Sequence, residues 1–184
     1  PPCKPLAAIT LPPAANNFTS NFYSTFFVNN LNIICRLIYM TIDYRIVIPS
    51  YQRPQILKDK SLALLKKHKI PIDKIDVLLG TEEEGQMYRK VLSNGYARNF
   101  IYHGQKGIGA VRNWIRWYYK YQTNIKYVVY MDDDIQEILD WQTPIKNIEE
   151  MIVDMFYETE IKKLNLWGIS PFHNPFFMKK TITT

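Results

Sequence analysis

Residues Lys126 to Ile135 read KYVVYMDDDI, an apolar, β-branched and aromatic run that ends on three consecutive carboxylates. Tyr127, Val128, Val129, Tyr130 and Met131 have the composition of a fully buried strand. Asp132, Asp133 and Asp134 cannot continue inside such a core, because an unpaired buried carboxylate costs on the order of several kcal/mol. The strand must leave its sheet there. In open α/β sheets, ligands bind outside the carboxyl ends of the strands. Three oxygen-donor side chains at that place suit a hard divalent cation, Mn²⁺ or Mg²⁺, with phosphate oxygens and water completing its shell. The competing reading of an Asp triplet is a solvated acidic turn. Placement directly after a buried strand favours the metal–phosphate site.

Working back from this strand, Ala110 to Tyr121 reads as a helix rich in Trp and Tyr, preceded by the glycine-rich loop Gly104 to Gly109. Glycines ahead of a helix let the backbone approach a ligand, and the free N–H groups at its start favour phosphate. The Walker spacing is absent and a dinucleotide fingerprint fails on spacing, so the loop by itself reads as a plain βα connection. Arg112 and Asn113, one turn in, are more telling, since they can reach a base edge or a diphosphate. Trp114, Trp117, Tyr118 and Tyr119 read as core with some spillover to a binding face.

Further upstream, RIVIPS (Arg45 to Ser50) is a short apolar strand ended by Pro49 and followed by the polar turn Ser50-Tyr51-Gln52-Arg53-Pro54. A hydroxyl, an aromatic face and a guanidinium at a strand end can receive a nucleotide, although an ordinary polar turn has the same composition. Ile56 to His68 is an amphipathic helix and Lys74 to Gly80 a second strand, followed by an acidic turn, Thr81 to Glu84. Gly85 to Leu92 reads as helical, Asn94-Gly95 as a turn, and Asn99 to His103 as a third strand. Downstream, Ile145 to Leu164 forms a long amphipathic helix with Pro144 near its first turn, and Leu166 to Ser170 is a further short strand. Strands and helices alternating at this spacing imply βαβ units and a mostly parallel, doubly wound α/β sheet.

The chain has 184 residues, 47% hydrophobic and 14% aromatic, which suits one domain with a sizeable core. A net charge of +6 is compatible with anionic ligands, but the basic residues are scattered, so no nucleic-acid groove is indicated. Residues 1–40 differ from the rest: they hold no Asp or Glu, only Lys4 and Arg36 as charges, and both cysteines, Cys3 and Cys35. Three readings compete for them. They are an extension ahead of a natural start at Met40, an acid-poor targeting segment, or a signal-anchor over Phe22 to Met40 badly interrupted by Asn29, Asn30, Asn32 and Arg36. We expect them to be poorly ordered and outside a domain spanning 41–184, with no stable membrane insertion. With no cysteine after Cys35, no disulfide framework or zinc site is available there, and a reducing, cytoplasmic setting is the default.

Taken together and in order, IPSYQRP at the first strand, GxGAVRNW before the fourth, and YVVYMDDDI with its DxD motif resemble a family-2-type glycosyltransferase with the GT-A fold. The resemblance covers about Arg45 to Ile135, with plausible continuation to Pro171. The Lys- and Tyr-rich style is further similar to glycosyltransferases of large DNA viruses of algae, which decorate capsid proteins; that match implies the host cytoplasm as the setting. The family implies a UDP-sugar donor and a glycan or glycoprotein acceptor. Pro49, Ser50, Tyr51 and Arg53 would hold uracil and ribose. Gly109, Arg112 and Asn113 would lie at the nucleotide, and Asp132 would face the ribose or sugar. Asp134, with Asp133, would bind Mn²⁺ or Mg²⁺ bridging the diphosphate.

One departure stands against the pattern. An inverting transferase needs a carboxylate base for the acceptor hydroxyl, usually placed after the strand corresponding to Leu166–Ser170, and no Asp or Glu follows Glu160. The chain therefore reads as truncated, or as the front half of a longer protein. Asp140, Glu137 and Glu158 are available acids without a geometric reason to choose among them. His103 and His173 could act as metal ligands, although a lone histidine at a strand end is more often structural. Two other functions compete. A sugar nucleotidyltransferase would need a basic, glycine-rich signature after the first strand, which IPSYQRP lacks. A non-catalytic nucleotide-sugar-binding remnant would fit the missing late carboxylate.

Overall fold

The computed structural model describes residues 42–92, 99–140 and 143–169, and every element falls within the compact unit Tyr44–Thr184. Four strands form an all-parallel sheet: β1 (Tyr44–Pro49), β2 (Ile75–Leu79), β3 (Asn99–Tyr102) and β4 (Tyr127–Tyr130). Their order across the sheet is β3-β2-β1-β4. The register pairs Ile46 with Ile75 and Val129, and Val77 with Phe100. Parallel neighbours require crossovers, and helices supply them. After β1 come α1 (Pro54–Leu57), a π turn (Lys58–Leu62) and α2 (Ala63–Lys67). After β2 comes α3 (Glu82–Val91), after β3 comes α4 (Ile108–Tyr121), and after β4 comes α5 (Ile148–Ile161). The arrangement is compatible with a Rossmann-like α/β fold.

Side chains alternate across the sheet, so each face builds its own core. On one face Val47 and Leu78 pack with Val111, Ile115 and Tyr119 of α4, joined by Val128 and Tyr130. Tyr44, Ile46 and Ile48 alternate to the other face, where the Tyr44 ring meets Phe156 of α5. Asp76 is buried in β2, which would be costly without donors; Tyr119 Oη at 2.6 Å and Asn99 Nδ2 at 2.8 Å supply them.

Several expectations change. The run Tyr127–Tyr130 is only half-buried, because among the described residues β4 is an edge strand with a neighbour, β1, on one side. The acidic turn Thr81–Glu84 is the first turn of α3: the Thr81 hydroxyl accepts from the Glu84 N–H at 3.3 Å, and carboxylates are favourable at a helix N-terminus. The last helix starts later than expected. Asn147 caps it through the N–H groups of Glu149 and Glu150, and Pro144 instead lies in a two-residue strand, β6 (Thr143–Pro144), paired antiparallel with β5 (Leu139–Asp140). Leu166 to Ile169 form no strand. Residues 1–41, with both cysteines and the three readings they carry, and also Asn94-Gly95, Ser170 and His173 lie outside the described residues. Among those described, no helix is long and apolar enough to cross a membrane.

Candidate functional site

In the order β3-β2-β1-β4 the winding reverses between β1 and β4. At such a switch point the loops leave adjacent strands in opposite directions and open a crevice at their carboxyl ends. The two stretches singled out in the sequence meet at this crevice. The loop after β1 carries Ser50, Tyr51 and Arg53; the turn after β4 carries Asp132, Asp133 and Asp134.

A closed ring of hydrogen bonds joins them. Ser50 Oγ donates to Asp133 Oδ2 at 2.6 Å, so its oxygen is left to accept from Tyr88 Oη, also at 2.6 Å. Tyr88 in turn accepts the Arg53 backbone N–H at 3.0 Å. The Arg53 guanidinium closes the ring on Asp133 Oδ1 at 2.6 Å. Arg53 donates twice and Asp133 accepts twice, while Tyr88 and Ser50 between them each accept one bond and donate the next, the pattern in which successive bonds polarise and strengthen one another. Burial pushes the Tyr88 phenol above its ordinary value, which keeps its proton in the ring. Tyr88 is wholly enclosed and Asp133 is 1% exposed, so these two groups are sheltered from competing water, while the Arg53 guanidinium closes the ring from a half-exposed side.

The three aspartates therefore differ. Both oxygens of Asp133 are engaged, and its carboxylate ties the two loops together. Asp132 and Asp134 face solvent. Asp134 has 46% of its side chain exposed and lies 3.9 Å from Arg53 Nη1. Two exposed carboxylates are hard oxygen donors of the kind Mn²⁺ and Mg²⁺ accept when diphosphate and water fill the other positions, so the donor set fits such a cation. Among the described residues no cluster of three or more His, Cys, Asp or Glu side chains is placed to hold a metal by itself.

The remaining positions fall around this centre. Pro49 ends β1 and pairs in register with Leu78. Tyr51 is 68% exposed, and its hydroxyl accepts from Gln52 Nε2 at 3.1 Å, leaving an aromatic face open at the rim. Gln52 adopts a left-handed backbone (φ 52°), held by its N–H donating to Glu84 Oε1 at 2.7 Å; Glu84 Oε2 accepts the Gly80 N–H at 2.9 Å. One carboxylate thus pins the loops after β1 and β2 together. Arg112 reaches β4, its guanidinium over the Tyr130 ring at 5.3 Å, which brings a cation beside the start of the aspartate turn. Asn113 and Gly109 are exposed on α4, and nothing crowds Gly109. In the preceding loop Gly104 and Gly107 do need glycine, with φ of 63° and 84°.

His103 follows β3 at the same end of the sheet. Its Nδ1 accepts the Gln105 N–H at 3.0 Å, which places the proton of the neutral ring on Nε2. Burial lowers its pKa, only partly offset by the charge of Glu84. On α4, Tyr119 is buried and Trp114 and Tyr118 are half-buried, stacked at 4.7 Å between ring centroids, while Trp117 is 48% exposed. Tyr88, Glu84 and Ser61 escaped the sequence reading. Ser61 left a signal, as a polar residue at a buried position of an amphipathic helix. No protein-family model, curated protein or solved structure matches this chain.

Proposed function

We propose that the crevice between β1 and β4 binds a nucleoside-diphosphate sugar, and that the chain is a metal-dependent glycosyltransferase domain of GT-A type using a UDP-sugar. The observation that carries this reading is the ring Ser50–Asp133–Arg53–Tyr88. It fixes an exposed aromatic loop and two exposed carboxylates at one switch point of a parallel sheet. In this reading Tyr51 stacks on the base, and Ser50 and Pro49 shape the floor beneath the ribose. Arg53 and Arg112 flank the diphosphate with positive charge, and Gly109 and Asn113 border it from α4. Asp132 takes a sugar or ribose hydroxyl, and Asp134 is the carboxylate for Mn²⁺ or Mg²⁺. Bound there, the cation supplies Lewis-acid neutralisation of the departing UDP. Asp133 supports both loops. A glycan or glycoprotein hydroxyl is the acceptor class.

The test is turnover. The chain is incubated with Mn²⁺ and a panel of UDP-sugars, and released UDP is measured with and without glycan acceptors. UDP release that needs the metal and disappears in Asp134→Ala supports the reading. A folded chain that releases UDP from no donor, with or without acceptor, sinks it as an enzyme.

A further inference from the structure

The π turn Lys58–Leu62 carries Ser61, whose side chain is wholly buried although it sits among lysines in the sequence. A helical serine ordinarily bonds back to its own helix, at the preceding turn's carbonyl. Ser61 does otherwise. Its Oγ donates to the carbonyl of Asp132 at 2.7 Å and accepts the N–H of Ile135 at 3.0 Å. Those two backbone groups are the first C=O and the last N–H of the four-residue turn Asp132–Ile135. One hydroxyl thus closes, from outside, the turn from which all three aspartates project. The same turn is tied from its middle residue by the Asp133 ring, so Asp132 and Asp134 hang from a backbone held at both ends and at its centre. A π turn adds a residue to the helical repeat and re-aims the side chains that follow, and such turns recur at functional sites.

We propose that Ser61 is a positioning residue for the carboxylate turn, setting the separation of the Asp132 and Asp134 side chains, the first for a sugar or ribose hydroxyl and the second for the divalent cation. This rests on the reading of the crevice as a nucleotide-sugar site. Ser61 touches neither ligand; it acts through the backbone. Its loss leaves a C=O and an N–H of the turn without their partner, and the turn relaxes.

The experiment uses the full chain. Binding of Mn²⁺ in the presence of UDP is followed by the electron paramagnetic resonance signal of free Mn²⁺, in wild type, Ser61→Ala and Leu65→Val. Leu65 is a buried residue of α2 whose apolar side chain makes no hydrogen bond to the turn, so Leu65→Val controls for lost stability. All are measured well below their melting temperatures. The expected result is a Mn²⁺ dissociation constant raised about tenfold or more in Ser61→Ala, as for other outer-shell partners, and one indistinguishable from wild type in Leu65→Val. Amide exchange at Ile135 should quicken in Ser61→Ala alone. Wild-type binding with Ser61→Ala unchanged overturns the positioning role while leaving the nucleotide-site reading intact. Equal weakening in Leu65→Val overturns it as well, by reducing Ser61 to a contributor to stability. Absence of binding by folded wild type overturns the nucleotide-site reading and the positioning role with it.

Discussion

The hydrogen-bond ring invites a double-mutant cycle on Ser50→Ala and Tyr88→Phe. Ser50→Ala removes a donor from a buried carboxylate and strands the Tyr88 proton. A hydrogen bond to a charged group contributes about 1.5–3 kcal/mol, and Asp133 keeps Arg53, so we expect a loss of about 2–3 kcal/mol. Tyr88→Phe leaves the Arg53 N–H without its acceptor, for about 1–2 kcal/mol. Once the ring is open, the second change removes less. The double variant should therefore be more stable than the sum of the single losses implies, with a coupling of about 1 kcal/mol. Urea unfolding followed by circular dichroism and tryptophan fluorescence measures all four proteins, and an unchanged slope shows that midpoints report stability. Single losses below about 0.5 kcal/mol, or additivity within about 0.3 kcal/mol, would mean the four groups do not act as a unit.

Gly85 sits in α3, where alanine would ordinarily add about 0.5–1 kcal/mol. Here a Cβ would lie 2.7 Å from Tyr102 Cε1, so Gly85→Ala should instead lower stability by about 1–2 kcal/mol, and Tyr102→Leu should restore the gain; a stabilised single variant contradicts the packing. The phenols of Tyr44 and Tyr119 are both held above their ordinary value, each first by burial and then by a carboxylate, Glu149 and Asp76 respectively. Unfolded tyrosines ionise near about pH 10, so these groups contribute stability that is fully present below that pH and is lost as pH rises beyond it. The urea midpoint should therefore fall between about pH 8 and about pH 11, and Tyr119→Phe should flatten part of that fall; a flat profile in wild type contradicts the assignment.

How far the sequence speaks for itself depends on the range of the interaction. The four parallel strands were legible because short apolar runs bounded by Pro49, Gly80 and Asp132 can scarcely be anything else in an alternating pattern. That the aspartates belong at a strand end followed from the energetics of burying charge, and they lie there. Which of the three is buried was not legible. The answer depends on Ser50 and Arg53, 83 and 80 residues away. Tyr88 lies in a stretch that reads only as helical, and its hydroxyl acquires meaning through contacts with the loop after β1. Thr81 and Glu84 did carry a helix-start signal, a threonine followed three residues on by a glutamate, but the run of acids reads as easily as a turn. In the structure the Glu84 carboxylate spans Gly80 and Gln52 instead of returning to the cap. The burial of β4 was overestimated because composition reports a strand's apolar character and not how many neighbours flank it.

The most direct measurement is calorimetric titration of UDP into the full chain with Mn²⁺, with EDTA in its place, and with Asp134→Ala. The nucleotide-site reading predicts binding that requires the metal and is lost in Asp134→Ala while that variant stays folded. Folded wild type that takes up no UDP in the presence of Mn²⁺, or that binds it equally well in EDTA and in Asp134→Ala, would contradict it.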